Sequence, residues 1–170
     1  MKTANENTFK KYNLYWRLIS MALVIFSHPS LVNAQNQNSN IMENKKLIRQ
    51  GFENWANGTA SFFDLLADDL QWTITGSTRL SKTYTSKKQF MAEVIAPLND
   101  RLSKKIVPKV SALYADGDMV IAIWDGQATA IDGKPYNATY EWNMQIKNGK
   151  IVKVTAFLDG IEFSDIMTRL

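Results

Sequence analysis

The sequence predicts an α+β domain, and three observations predict it. Helix-patterned segments occupy the first part of the chain, four strand-patterned segments fill the second, and a tight-turn dipeptide separates neighbouring strands. Helices followed by an antiparallel meander pack on one face of a single sheet.

Ile41, Leu47, Ile48, Phe52 and Trp55 recur at spacings of three, four and seven, which predicts a helix that Asn57-Gly58 ends. Phe62, Phe63, Leu65 and Leu66 are the apolar part of a short second helix over 60–67. Leu70-Gln-Trp-Thr-Ile74 reads as a short strand ended by Thr75-Gly76-Ser77. Ser86-Lys-Lys-Gln89 is a capping-box pattern that opens a third helix through Phe90, Met91, Val94 and Ile95, which Pro97 breaks or bends. Residues 106–114, 119–130, 136–147 and 151–158 are rich in Val, Ile, Thr, Tyr and Trp and read as strands. Asp116-Gly117, Asp132-Gly133 and Asn148-Gly149 are the turns between them.

These turns predict a register. Two-residue loops at Asn148-Gly149 and Asp132-Gly133 pair Lys147 with Lys150 and Ile131 with Lys134. Counting outward sets Trp142 opposite Thr155 and Ile123, and Tyr140 opposite Phe157 and Asp125. Directly opposed residues share a face. One face then carries Ile121, Ile123, Met144, Trp142, Ile146, Ile151, Tyr140 and Phe157, with Asp125, Gln127 and Asp159 towards one end. Glu141, Trp124, Val152, Val154 and Leu158 fall on the other.

The N-terminus reads as a signal peptide over 1–34. Lys10, Lys11 and Arg17 precede a short apolar run, Leu18 to Phe26, and Val32-Asn-Ala34 gives the small residues of a cleavage site before Gln35. The alternative is an anchor that stays attached. Polar residues 35–42 are expected to be a disordered lead-in, and the domain proper to span 43–170. The leader holds four of the 20 Lys+Arg and one of the 16 Asp+Glu, leaving 16 against 15, a net charge of +1. That balance argues against a nucleic-acid partner, and none of the nucleic-acid-reading motifs is present. The expected location is periplasmic or secreted, with no membrane association after cleavage.

His28, the single histidine, lies in the leader, and there is no cysteine. A Ser-His-Asp or Cys-His nucleophile, a zinc site of the usual ligands and a disulfide framework are therefore excluded from the mature chain. Chemistry must rest on aromatics, hydroxyls and carboxylates, with no metal and no cofactor expected.

Leu66-Ala-Asp-Asp-Leu-Gln-Trp72 leading to Gly76, Ala112-Leu-Tyr-Ala-Asp-Gly-Asp118, Tyr140-Glu-Trp142, and Asn148-Gly-Lys-Ile151 followed by Thr155-Ala-Phe-Leu-Asp159 come in an order and spacing that carry a resemblance. Over about 43–170 the chain resembles SnoaL-like members of the nuclear-transport-factor-2-like (NTF2-like) superfamily, the group that includes ketosteroid isomerases and polyketide cyclases. The resemblance implies a cone: a curved sheet wrapped round about three helices, with a pocket at the wide end. It implies a base near Asp159, where SnoaL-like cyclases carry a proposed catalytic aspartate. Neither the tyrosine-plus-protonated-acid pair of the ketosteroid isomerases nor an epoxide hydrolase's Arg-Asp-Asp set is evident.

The expected catalytic group is Asp159, Asp125 and Tyr140. Asp159 ends the last strand beside Phe157 and Trp142, where desolvation would raise a carboxyl's pKa towards that of a general base; the competing account is a cap on the turn into Gly160. Asp125 shares the predicted face, or else pairs with the Tyr140 hydroxyl. Tyr140 would donate to a developing oxyanion. Trp72, Tyr84, Ile123, Trp142 and Phe157 are the expected ligand-binding walls. Arg79 and Lys82 form a loop able to receive an anion or simply to be solvated. Three functions fit: a cofactor-free isomerase- or cyclase-type enzyme acting on a small apolar carbonyl compound, a binding protein using the same pocket, or a structural or association module whose exposed sheet face binds a partner and whose cone is filled with side chains. A homodimer through the outer sheet face is a separate expectation.

Overall fold

The computed structural model describes residues 29–169, with side chains from residue 38. The expected leader lies outside the described residues except for 29–34, which are helical. Among the described residues, 40–169 form one compact unit. Helix α1 (Pro29–Ala56) runs through 35–42, so the expected disordered lead-in is helical backbone instead. Ile48 and Phe52 are its buried anchors.

The segment expected as a second helix is a single 3-10 turn, Phe62–Leu65, capped by the Ser61 hydroxyl, which accepts from Phe63 N. Strand β1 (Leu66–Ile74) begins at once. Its buried residues, Leu66, Leu70, Trp72 and Ile74, are all even-numbered, the two-residue period of a strand and not the spacing of a helix. After β2 (Thr83–Tyr84), α2 (Lys87–Phe90), a π turn (Met91–Ile95) and α3 (Ala96–Asp100) follow without a break. Ser86 Oγ accepts from Gln89 N at 3.1 Å, the cap that the sequence predicts. Pro97 does not end the helix: it sits in the first turn of α3, directly after the π turn, where a missing N–H costs least.

Strands β3 (Leu102–Asp116), β4 (Met119–Ala130), β5 (Pro135–Lys147) and β6 (Lys150–Leu158) form the meander, and helix α4 (Gly160–Thr168), which was not expected, closes the described chain. The sheet has six strands in the order β2-β1-β6-β5-β4-β3, curved and unclosed, with β1 parallel to β6. Among the described residues no helix is long and apolar enough to cross a membrane.

Two register corrections decide which residues face inward. The β4–β5 turn is a three-residue loop, Ile131-Asp132-Gly133. Ala130 N donates to Lys134 O at 2.8 Å, Gly133 N donates to Ala130 O at 3.0 Å, and Gly133 has φ +83°. The pairing therefore slips by one residue to Trp124↔Tyr140 and Ala122↔Trp142. In β6 the predicted turn pairing, Lys147↔Lys150 and Ile146↔Ile151, is present, but Val152 is an extra bulged residue. Beyond it Met144 pairs with Val154, Trp142 with Ala156 and Tyr140 with Leu158. A one-residue slip exchanges the faces of a strand. Trp124, Val154 and Leu158 therefore point inward, and Ile123, Asp125 and Phe157 outward.

Candidate functional site

The helices and the concave sheet face enclose a cavity of about 850 Å³. Its position follows from β4, β5 and β6, which present Trp124, Tyr140, Trp142, Ala156 and Leu158 to one side. The opposite side comes from α1, the 3-10 turn, the π-turn segment and α4, through Trp55, Phe63, Met91, Val94 and Phe163. The walls are aromatic and interlocked. Trp124 stacks on Tyr140 at 4.1 Å, Trp72 stacks on Phe90 at 4.2 Å, and Trp142 meets both Trp124 (4.7 Å) and Trp72 (5.0 Å) edge-on.

Polar side chains are few: beside Trp124 and Tyr140 the lining has Asn57, Ser61, Asn99, Lys104 and Lys105. The Tyr136 and Tyr140 hydroxyls lie 2.6 Å apart, both buried, and either can donate to the other. When Tyr136 donates, the Tyr140 proton is free to point at a bound acceptor. Burial pushes Tyr136 up to about 12, with the Tyr140 hydrogen bond opposing and the Glu162 and Asp159 charges adding. Burial, then its neighbour Tyr136, pushes Tyr140 well above the ordinary phenol value. Both are neutral donors at physiological pH. Trp124 is 1% exposed, and its Nε1–H has no hydrogen-bond partner among the described residues. A buried N–H left alone is uncommon and costs about 1–3 kcal/mol. Lys104 and Lys105 supply the charge in the lining, and no carboxylate lines it.

The expected residues divide accordingly. Trp72, Tyr140 and Trp142 line the cavity. Tyr84 is buried but one layer back, edge-on to Phe90 at 5.6 Å, and its hydroxyl donates to Leu80 O at 2.8 Å. Ile123 and Asp125 lie on the outer face because of the three-residue loop. There Asp125 Oδ1 accepts from Thr139 Oγ1 at 2.7 Å, not from Tyr140. Phe157 is 47% exposed on the same face because of the Val152 bulge, and Leu158 takes its place inside. Asp159 is exposed and is not among the lining residues. It is the N-cap of α4, its Oδ1 accepting from Ile161 N at 3.0 Å and Glu162 N at 3.2 Å.

The sequence reading missed Trp124 as a wall residue, although the Asp132-Gly133 turn allows a three-residue loop that turns it inward. It also missed Phe163, although Asp159-Gly-Ile-Glu162 before an apolar run is a helix-start signature. Among the described residues no group of three or more His, Cys, Asp or Glu is placed to hold a metal.

No family model matches the chain, and no curated protein matches it. Solved structures do. Bal32a, from a soil-derived mobile gene cassette, superposes with a TM-score of 0.63 at 15% identity, covering 75% of this chain and 98% of its own. An NTF2-like protein from Burkholderia thailandensis E264 gives 0.61 at 20% identity, covering 74% and 97%. A protein from Jannaschia sp. CCS1 assigned as a SnoaL-like polyketide cyclase gives 0.60 at 11% identity, covering 76% and 94%. At such identities the likeness concerns architecture alone: the chain has the NTF2-like fold.

Proposed function

We propose that the chain is a binding protein for a small, planar, largely apolar molecule that presents a hydrogen-bond acceptor to Trp124 and Tyr140. The observation that carries this reading is the aromatic-walled cavity with Tyr140, of the buried Tyr136–Tyr140 pair, in its lining and the unpartnered Nε1–H of Trp124 within its wall. An apolar cavity of ~300–1,000 Å³ with a few convergent polar groups is the usual form of a ligand site. A carbonyl or phenolic oxygen accepting from Trp124 would relieve the stranded donor, and Tyr140 would add a second bond.

A turnover reading places Asp159 as base and Tyr140 as oxyanion donor on a carbonyl compound, an isomerase- or cyclase-type reaction. It is supported by the architecture shared with the assigned cyclase. Against it stand the exposure of Asp159, the commitment of its Oδ1 to the α4 cap, and a lining without carboxylates. These favour binding over turnover. The signal-like residues 1–34 support export, so that the pocket works in the periplasm or outside the cell. Ile123, Tyr114 and Phe157 on the outer sheet face support pairing with a second copy.

Quenching of tryptophan fluorescence by 2-acetylnaphthalene, a planar aromatic ketone, tests the central reading against 2-ethylnaphthalene, which lacks the acceptor. The ketone is expected to bind more tightly, and Trp124→Phe to remove about fivefold of its affinity while leaving the hydrocarbon unchanged. Equal affinities for the two probes would overturn the donor role of Trp124.

A further inference from the structure

We propose that a second cavity, between α4 and the loop that precedes β2, binds the carboxylate of a small organic acid through Arg79 and Arg101. This cavity has a volume of about 350 Å³, and Arg79, Arg101, Leu80, Phe163, Ser164 and Met167 are among its walls. It is distinct from the aromatic cavity, with Phe163 the wall residue that the two share.

The charge is uncompensated. Among the described residues neither Arg79 nor Arg101 makes an ion pair, and no carboxylate lines the cavity. Arg169, just beyond the C-terminus of α4, is the contrast: it pairs with Asp132 at 3.3 Å and Asp165 at 2.7 Å. A carboxylate is the planar acceptor that fits a guanidinium fork.

Both arginines sit on held supports. Arg101 caps α3, and its Nη1 donates to Pro97 O at 2.8 Å, which fixes the guanidinium from behind. Arg79 rises from a loop tied at its base by Thr78 and Ser81. Thr78 N donates to Ser81 Oγ at 2.9 Å, Ser81 Oγ donates to Thr75 O at 3.0 Å, and Tyr84 Oη donates to Leu80 O at 2.8 Å. A loop held in place this way loses little entropy when a ligand arrives. Leu80, Phe163 and Met167 offer an apolar surface beside the cations. The pairing of fork and apolar wall selects a carboxylate on a short hydrocarbon body over a bare inorganic anion.

NMR titration of the full chain with benzoate, followed through backbone amides, tests this, with inorganic phosphate as the second arm. Benzoate is expected to give saturable shifts at Arg79, Arg101 and Ser164, undisturbed when 2-acetylnaphthalene is present. R79Q removes an exposed side chain that makes no hydrogen bond among the described residues, and it is expected to weaken benzoate about tenfold. R101K keeps the charge but loses the fork, and is expected to weaken it by a similar factor; thermal melts of both variants report on folding. Displacement of benzoate by 2-acetylnaphthalene, or shifts centred on Trp124 and Tyr140, would overturn the second site without touching the first. So would affinity unchanged in a folded R79Q, an absence of saturable binding, or phosphate binding as tightly as benzoate.

Discussion

The indole of Trp124 and the phenol ring of Tyr140 lie face to face across neighbouring strands, their centroids 4.1 Å apart and their planes 8° from parallel. The stack depends on the residue beside it. A Cβ placed on Gly126 would come within 3.1 Å of Trp124 Cζ3, Tyr140 Cε2 and Ile106 Cγ2 together. All three neighbours belong to packed side chains, so none can retreat cheaply. Gly126→Ala is therefore expected to destabilise the protein by about 1–3 kcal/mol and to change the tryptophan emission. Urea unfolding followed by fluorescence checks both, and a stability equal to that of the parent would mean that the aromatic wall is not close-packed.

The Tyr136–Tyr140 pair makes a second expectation. Replacing either tyrosine by phenylalanine strands the remaining hydroxyl in a buried site, at a cost of about 1–3 kcal/mol. Replacing both removes the stranded group as well as the bond, so the double variant should lose less than the two single losses combined. A thermodynamic cycle from denaturant unfolding gives the coupling. Simple additivity would say that the hydroxyls do not bond.

Alkaline stability follows from the same burial. Tyr84 is pushed up to about 12 by burial, with the Glu93 charge adding, and Tyr136 reaches about 12 chiefly through burial. The folded state then holds protons that the unfolded chain releases near its ordinary value of 10, so this contribution is intact below about pH 10 and is lost as pH climbs towards 12. For Tyr136 the loss is on the order of 2 kcal/mol. Unfolding free energies at pH 8, 10 and 11, with tyrosinate absorbance recorded alongside, should fall across that window, and Tyr136→Phe should flatten the fall. A profile that stays level through pH 11 would contradict the burial of these phenols.

How much of this was legible in the sequence turns on strand parity. The dipeptide turns located the last four strands, and Asn148-Gly149 also gave its local pairing correctly. Asp132-Gly133 located its turn but not its length, because aspartate-glycine serves two-residue and three-residue loops alike. That one residue exchanged Ile123 and Asp125 for Trp124. The Val152 bulge left no comparable mark in the sequence, and it exchanged Phe157 for Leu158. Tyr140 and Trp142 kept the expected face because both errors lay in their partners. The Arg101 environment was not legible at all, since it joins a helix end, a loop and α4 from distant parts of the chain.

Asp159 separates a structural from a chemical role most sharply. Its carboxylate accepts from two backbone amides at the start of α4, and α4 in turn seats Phe163 against the cavity. Removing the cap with Asp159→Ala is expected to cost about 0.5–2 kcal/mol, whereas Asp159→Asn, which caps nearly as well, should cost only a few tenths. Binding of 2-acetylnaphthalene should follow the same order, weakened in the alanine variant as Phe163 loosens and nearly unchanged in the asparagine variant. Deuterium exchange at the carbon beside the ketone supplies the decisive contrast. A general base would make that exchange protein-dependent and lose it in Asp159→Asn, since the amide cannot take the proton. A cap would leave exchange at the rate in buffer for parent and variant alike. The exposed, amide-bonded carboxylate leads us to expect the second result, and exchange catalysed by the parent but not by Asp159→Asn would restore the turnover reading.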